Sequence, residues 1–209
     1  MPSLVIVDSG SANLNSIYKA LQIVSLQSVI SDNPPVIASA DAVIFPGVGS
    51  FEYAAALLER KGLSEVLLEV IAAGKPFLGI CLGMQLLFSS STESSSLTGN
   101  SSGLNVVHGL VKRFPCNLHV PHVGWNQVNL CFDHPLFDGL SDGAYFYFTH
   151  SYYAQPDLES HTLALTEYGF PFTSATVVNS LCGVQFHPEK SGPAGLRLLS
   201  NFGKIIADL

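Results

Sequence analysis

Apolar positions in the first half of the chain follow two alternating patterns. Short continuous apolar runs, which are typical of buried parallel strands, occupy residues 4–7, 36–44 and 76–80. Segments with apolar residues at helical spacing occupy residues 13–24, 51–60, 63–73 and 82–88. Strands and helices in this order predict a mostly parallel sheet with helices on both faces.

The second half carries shorter strand-like stretches before a final helix. These stretches cover residues 105–114, 127–130, 144–149, 162–166, 176–179 and 181–186. An amphipathic helix is predicted over residues 196–209. Because no repeat and no long linker divides the chain, we expect residues 1–209 to form one α/β domain. In that domain an antiparallel or mixed portion extends the parallel sheet.

Residues 89–102 interrupt these patterns directly after a predicted helix. Nearly all of them are Ser, Thr, Gly or Asn, and Glu93 is the single acidic residue. This composition predicts an exposed and mobile loop.

Composition limits the classes of function. The chain has 209 residues, of which 47% are hydrophobic and 12% charged, and its formal charge is −7. A disordered chain is excluded, and the acidic balance disfavours nucleic-acid binding. No apolar run reaches the about 18 residues of a membrane span, and the first residues are predicted as a strand rather than a signal peptide. The cysteines Cys81, Cys116, Cys131 and Cys182 form no CxxC pair, so we expect free thiols in the cytoplasm.

Cys81 lies between two glycines, where a predicted strand runs into a predicted helix. The sequence Gly79-Ile80-Cys81-Leu82-Gly83 has the pattern of a nucleophile elbow with sulfur in place of oxygen. Such a turn needs small neighbours because the chain passes close to itself. The turn also directs the backbone N–H of Leu82 and the helix N-terminus at the reacting centre, where both stabilise negative charge. A buried structural cysteine is the alternative interpretation.

A second motif, His187-Pro188-Glu189, lies at the end of the last predicted strand. Residues i and i+2 of an extended segment point to the same side, and Pro188 favours extended geometry at the residue before it. His187 can therefore take the proton of Cys81 while Glu189 orients the imidazole ring. The carboxyl ends of parallel strands gather at one sheet edge, where the two motifs are predicted to meet. An incidental histidine in a solvated turn is the alternative.

The glycine-rich turn at residues 46–50 follows another predicted strand and falls at the same edge. Its glycines leave backbone N–H groups free to face a substrate, as an oxyanion hole requires. Alone, such a turn is weak evidence of function.

No metal or nucleotide site is predicted. His119 and His122 lie close in sequence, but no further ligands have suitable spacing, so we expect the two in a loop or an interface. The chain has no Walker-type phosphate loop and no Gly-x-Gly-x-x-Gly fingerprint after the first strand. We therefore expect neither a metal nor a cofactor.

Residues 79–85 and 185–189 together resemble the Cys and His-Pro-Glu motifs of the class I, or triad-type, glutamine amidotransferase family. Four further stretches narrow the resemblance to one branch, the glutaminase subunits of imidazole glycerol phosphate synthase. These stretches are residues 8–14, 45–51, 121–126 and 147–152. Residues 88–102 depart from the family pattern because they are richer in Ser and poorer in acidic residues.

The resemblance implies a glutaminase. Cys81 would attack the side-chain amide of glutamine, His187 would protonate the departing ammonia, and Glu189 would complete the triad. Water would then release glutamate from a glutamyl thioester. The implied oxyanion hole consists of the backbone around Val48 and Gly49 with the N–H of Leu82. The implied substrate-binding residues are Gly49, Gln85, His150, Ser151 and Tyr152.

The resemblance also implies a partner. Ammonia would pass to a cyclase that folds as a (β/α)8 barrel and forms a heterodimer with this chain. That cyclase makes imidazole glycerol phosphate and aminoimidazole carboxamide ribotide in histidine biosynthesis. Asn13, Trp125 and Tyr147 resemble interface positions. Weak activity without the partner is expected, since glycines let the strand at residues 47–49 flip a peptide at low cost.

Three alternatives stay open on the sequence alone. The glutaminase parts of anthranilate, guanylate or vitamin B6 synthesis share the triad, but do not combine the stretches at residues 8–13 and 124–126. A catalytically silent binding module would be expected to lose Cys81 or His187. A stand-alone cysteine hydrolase would be active without a partner.

Overall fold

Strands and helices alternate through the first half of the chain, as the apolar pattern predicts. The computed structural model describes residues 3–94 and 99–208. The strands of the first half are β1 (Leu4–Val7), β2 (Ser28–Ser31), β3 (Ala42–Gly47), β4 (Phe77–Cys81) and β5 (Phe88–Ser91). The helices are α1 (Leu14–Ile23), α2 (Pro34–Ser39), α3 (Phe51–Arg60), α4 (Leu63–Ala72) and α5 (Leu82–Gln85).

The second half is built mainly from strands. They are β6 (Ser101–Ser102), β7 (Val107–Arg113), β8 (His122–Leu130), β9 (Ala144–His150), β10 (Tyr152–Pro156), β11 (Thr162–Glu167), β12 (Pro171–Val178) and β13 (Leu181–Val184). Helix α6 (Gly192–Ala207) follows β13. A short 3-10 turn at Pro188–Lys190 separates these two elements.

The described strands join in one mixed sheet. Its main path runs in the order β2-β1-β3-β4-β13-β12-β10-β7-β5-β6. The first five strands of this path are parallel to one another, whereas β12 is antiparallel to both β13 and β10. Strand β11 connects β12 to β8, which pairs with β9. The predicted parallel sheet with a mixed addition is therefore confirmed, and the carboxyl ends of β3, β4 and β13 meet at one edge.

The sheet is covered on both faces by apolar side chains. Leu4 and Ile6 of β1 belong to one buried cluster, which includes residues of α1 and α6. Val5 and Val7 belong to another, which includes residues of α3 and α4. Successive strand residues point to opposite faces, and burying each such side chain stabilises the fold by roughly 1.5–3 kcal/mol. This double packing fixes the edge on which the site lies.

The strand predicted over residues 36–44 is wrong in its first part. Pro34–Ser39 form helix α2, because proline in the first helical turn loses no intrahelical hydrogen bond. The strand begins only at Ala42. Strand β2 was not predicted, since it is the outermost strand of the path and its Val29 side chain is 59% exposed.

The expectations for residues 82–102 are also corrected. Helix α5 ends at Gln85, and strand β5 begins at Phe88. The expected exposed loop contains instead an antiparallel pairing of β5 with β6, and Ser91 is buried. Residues 95–98 of the expected loop lie outside the described residues.

Three elements of the second half begin earlier than predicted. Strands β8 and β12 begin five residues before the predicted starts, at His122 and Pro171, and α6 begins at Gly192. Strand β10 was not predicted. Its residues are neither apolar throughout nor strictly alternating, and pairing with β7 and β12 holds the strand in the sheet.

Candidate active site

Cys81 adopts a backbone conformation that non-glycine residues seldom adopt. It lies at the junction of β4 and α5 with φ 55° and ψ −111°, and such conformations cost about 1–3 kcal/mol. A Cβ atom at Gly83 would lie 1.8 Å from the backbone oxygen of Phe45, and one at Gly79 would lie 3.0 Å from backbone atoms of Met84. The predicted need for small neighbours around Cys81 is therefore confirmed.

His187 and Glu189 form a buried pair. The Nδ1 atom of His187 lies 2.9 Å from Oε1 of Glu189, and the two side chains are 3% and 6% exposed. His187 has the predicted extended conformation, but the extended segment does not continue to Glu189, because Pro188–Lys190 form a 3-10 turn. Its backbone is held at both ends, because its N–H donates to the carbonyl of Tyr147 and its own carbonyl accepts from the Ser191 hydroxyl.

The environment of His187 favours the charged imidazolium. Burial opposes protonation, but Cys81 and Glu189 act more strongly and raise the pKa of His187 to about 10. Because Nδ1 faces Glu189, Nε2 is the ring nitrogen available to Cys81. This Nε2 is buried, and no atom of the described residues, sulfur included, lies in hydrogen-bonding geometry with it. The arrangement suits a thiolate–imidazolium pair.

A pocket of about 320 Å³ opens beside Cys81. All the residues predicted for the oxyanion hole and for substrate binding line it, namely Val48, Gly49, Leu82, Gln85, His150, Ser151 and Tyr152. A wider depression of about 780 Å³ between α1, α2 and β2 contains no Cys, His, Asp or Glu side chain. The smaller pocket is therefore the one that combines enclosure with reactive groups.

The turn after β3 differs from the expectation of free backbone N–H groups. The N–H of Val48 donates to the carbonyl oxygen of Ser11, in the loop between β1 and α1. This N–H is therefore engaged rather than free to face a substrate. Gly49 has φ +104°, and a Cβ atom there would meet no atom within 4 Å, so this backbone has space to move.

Glu93 enters the pocket, although its position in a Ser-rich stretch predicts a loop outside the site. Its Oε2 atom accepts a hydrogen bond of 2.8 Å from the backbone N–H of Phe51, the first residue of α3. Among the described residues, it is the only acidic side chain that lines the pocket. The one sequence signal for a role of Glu93 in the pocket was its isolation as an acidic residue within a Ser-rich stretch. Only the folded chain brings Glu93 next to Tyr152.

The expectation for His119 and His122 is half wrong. His119 lies in the loop between β7 and β8, but His122 is a buried residue of β8. Nδ1 of His122 lies 3.0 Å from Nε2 of His150. Mainly because the rings are buried, the pKa of His122 is lowered to about 4 and that of His150 to about 3. The two rings are therefore neutral at physiological pH and form a buried polar pair.

The residues predicted for the partner interface lie on accessible surface. Asn13 immediately precedes α1 and is exposed. Trp125 of β8 is 55% exposed and lies opposite Tyr147 of β9, with ring centroids 6.2 Å apart in a T-shaped arrangement. The Nζ atom of Lys190 lies 5.8 Å from the Tyr147 ring.

All four cysteines are free thiols. Cys116 and Cys131 are exposed, whereas burial raises the pKa of the Cys182 thiol to about 12. Within the described residues, no group of three or more His, Cys, Asp or Glu side chains is arranged to hold a metal ion. No helix in the described parts of the chain is both long and apolar enough to cross a membrane.

Known proteins resemble this chain in sequence over nearly its whole length. The family model for class I glutamine amidotransferases matches residues 5–206. The chain is 44% identical to "Imidazole glycerol phosphate synthase subunit HisH" of Symbiobacterium thermophilum, over 100% of this chain and 97% of the relative. It is 50% identical to the protein of the same name in Methanosarcina acetivorans, over 97% and 98% of the two chains.

Solved structures match in fold. One described as "Crystal structure of glutamine amidotransferase" has a TM-score of 0.75 and 16% identity over 97% of this chain and 98% of that chain. Another, "Structure of PurLQS from Thermotoga maritima", has a TM-score of 0.69 and 16% identity, over 99% and 98% of the two chains. The fold and the site define an α/β protein with a cysteine–histidine–glutamate constellation at a sheet edge. The chain belongs to the class I glutamine amidotransferase family.

Proposed function

We propose that this chain is the glutaminase subunit of imidazole glycerol phosphate synthase, with Cys81, His187 and Glu189 as its catalytic triad. The observation that carries the proposal is that the strained Cys81 elbow and the buried His187–Glu189 pair occur together beside one enclosed pocket. The relatives at 44% and 50% identity, which carry the name of that subunit, support the substrate and the pathway.

The chemistry follows from the triad geometry. The Cys81 thiolate attacks the carbonyl carbon of the glutamine side chain, and the negative charge moves to the amide oxygen. The His187 imidazolium then donates its proton to the amide nitrogen, the C–N bond breaks, and ammonia leaves. Water attacks the thioester with His187 as base, which releases glutamate and restores Cys81. Glu189 keeps the imidazole ring oriented and balances its charge.

The oxyanion hole is assigned to the N–H of Leu82 and to the backbone around Val48 and Gly49. Because the Val48 N–H is bound to Ser11, we propose that the free subunit is in a state of low activity. Releasing this N–H toward the pocket provides a donor where charge develops, and one such donor is worth about 10²–10³ in rate. Contact of the partner with Asn13, two residues from Ser11, is a direct way to favour release.

Glutamine is held at both of its ends. Gly49, Gln85, His150, Ser151 and Tyr152 are assigned to substrate binding because they line the pocket. Glu93 is added to this set, since the pocket has no other acidic side chain to face the α-ammonium group of glutamine. A charge-assisted hydrogen bond there selects an amino acid over a simple amide.

The partner is a cyclase subunit, for which we propose a (β/α)8 barrel that forms a heterodimer with this chain. The exposed Trp125 and the partly buried Tyr147 form an aromatic pair of the kind that dominates binding energy at interfaces. We further propose that residues 1–209 act as one glutamine amidotransferase domain, and that the reaction takes place in the cytoplasm without metal or cofactor.

Glutamate release from glutamine by the purified chain, alone and with a histidine-pathway cyclase, tests the proposal. We expect strong stimulation by the cyclase and complete loss of activity in Cys81→Ala. Activity that ignores the cyclase would indicate another amidotransferase branch or a free-standing hydrolase. Absence of activity in both conditions would indicate a silent module.

A further inference from the structure

Gln185 contacts the sulfur atom of Cys81 from inside the protein. It follows β13 and its side chain is 0% exposed, so it is out of reach of solvent. Its Nε2 atom donates to Sγ of Cys81 over 3.6 Å. The triad chemistry derived above does not use this residue.

The orientation of the Gln185 amide follows from a neighbouring backbone carbonyl. Nε2 of Gln85 lies 3.0 Å from the carbonyl oxygen of Tyr152, which can only accept hydrogen bonds. The same Nε2 lies 2.9 Å from the side chain of Gln185, which must therefore present its oxygen to Gln85. The Gln185 amide nitrogen is thus directed at the sulfur atom. The reverse orientation would place two N–H donors against each other.

The Tyr152 carbonyl is fixed from its other side by the buried histidine pair. Nδ1 of His150 lies 2.8 Å from this oxygen and must carry a hydrogen to bond to it. Nε2 of His150 then accepts from His122, whose second nitrogen faces the Asn126 amide at 3.3 Å. Each of these groups has one orientation in which every hydrogen bond joins a donor to an acceptor. The series of hydrogen bonds therefore places the amide N–H of Gln185 at the sulfur atom of Cys81.

We infer that Gln185 is a further catalytic residue, whose amide N–H stabilises the Cys81 thiolate in the orientation that Gln85 and the Tyr152 carbonyl impose. An N–H donor favours the charged sulfur over the neutral thiol, whereas a carbonyl oxygen at the same place would repel it. The inference deepens the proposed function, since the thiolate is the nucleophile that attacks glutamine.

Alkylation of the full chain with iodoacetamide tests this inference without glutamine turnover. The rate is followed on the Cys81 peptide by mass spectrometry, which separates it from the exposed Cys116 and Cys131. Gln185→Met keeps the length of the side chain and removes the donor. We follow the rate as a function of pH and expect the pH at which it is half-maximal to rise by roughly one unit or more, since hydrogen bonds to charged groups are the stronger ones. A half-maximal pH within about 0.3 of the parent value, in a folded variant, would overturn the inference.

Two further variants separate thiolate stabilisation from loss of stability. Gln185→Leu also removes the donor and places no polar atom at the sulfur, and it should shift alkylation in the same direction. Parent-like alkylation in this folded variant would also overturn the inference. Asn201→Leu is the matched control, because Asn201 is equally buried and donates to the carbonyls of Leu136 and Asp138 away from the pocket. It should unfold at lower temperature and alkylate at the parent rate.

The same data keep this inference distinct from the proposed function. If glutamine is not hydrolysed but alkylation of Cys81 still depends on Gln185, the proposed function fails and the inference stands. If glutamine is hydrolysed and Gln185→Met alkylates like the parent, the inference fails and the proposed function stands.

Discussion

The backbone N–H of Val48 donates a hydrogen bond to the carbonyl oxygen of Ser11. This bond ties the turn beside Cys81 to the loop before α1, where Asn13 is exposed. A partner that contacts Asn13 would therefore act on a loop that holds the proposed oxyanion-hole donor. We propose the engagement of this one N–H group as the structural cause of the low activity expected of the free subunit.

The loop that holds Val48 can be loosened without touching the pocket. The hydroxyl of Ser9 is buried and lies 3.0 Å from that of Ser11. Ser9→Ala removes this bond, which is worth about 0.5–1.5 kcal/mol, so release of Val48 should become roughly two- to tenfold easier. We expect glutaminase activity without the cyclase to rise by that factor, measured as glutamate release.

The control for this variant is Ser39→Ala, which removes a hydroxyl that bonds within the segment of α2. It should leave activity unchanged. A Ser9→Ala variant that folds normally and has parent activity would disprove the link between this loop and the oxyanion hole.

Replacing Glu93 should weaken glutamine binding more than it slows chemistry. Glu93→Gln keeps an oxygen to accept from the Phe51 N–H. It removes the charge that we propose to bind the α-ammonium group of glutamine. We expect the KM for glutamine to rise roughly tenfold or more, with kcat changed much less. Steady-state kinetics with the cyclase present measure both quantities. Glu159→Gln, on an exposed turn, is the charge-matched control, and equal kinetics for the two variants would contradict the assignment.

The protonation of His187 links stability to alkaline pH. Its pKa is about 10 in the folded protein against 6.5 as the ordinary value. The folded state therefore holds a proton that the unfolded state has lost, and this contribution is complete below pH 6.5. It is lost as the pH rises toward about 10. We expect the free energy of unfolding, from urea titrations, to fall across this range less steeply in His187→Gln than in the parent. Parallel curves would contradict the ion pair.

The glycine after the nucleophile should be essential to the fold. A Cβ atom at Gly83 would lie 1.8 Å from the Phe45 carbonyl oxygen, and backbone atoms cannot yield as a flexible side chain can. Gly83→Ala should therefore cost several kcal/mol, an unusually large effect for one methyl group. Gly99→Ala adds the same methyl group where nothing lies within 4 Å, and it should change the melting temperature little. Comparable melting temperatures would show that the elbow is less tightly packed.

Local patterns were sufficient to predict where Cys81 and the His187–Glu189 pair lie in the fold. Cys81 and the His187–Glu189 pair lie in short motifs whose geometry depends on neighbouring residues. The alternation of strands and helices places both motifs at one sheet edge. Helix α2, which begins at a proline, was harder to predict, because its apolar residues are equally compatible with a strand.

Contacts between distant segments could not be predicted in the same way. Glu93 reaches the pocket only because β5 and β6 fold the Ser-rich stretch back, and no local pattern in that stretch indicates strands. The engagement of Val48 depends on a carbonyl in another loop. His122 has a partner 28 residues away, so its spacing from His119 was misleading.

Labelling with an electrophilic glutamine analogue tests directly whether Cys81 is the nucleophile that attacks glutamine. A diazoketone analogue carries a reactive carbon where glutamine has its amide nitrogen, so it reports both recognition and attack. We expect one label per chain to form on Cys81, glutamine to protect against it, and the cyclase to accelerate it. Labelling of Cys116 or Cys131 instead, or labelling of Cys81 that glutamine does not prevent, would contradict the assignment of Cys81 as the glutamine nucleophile.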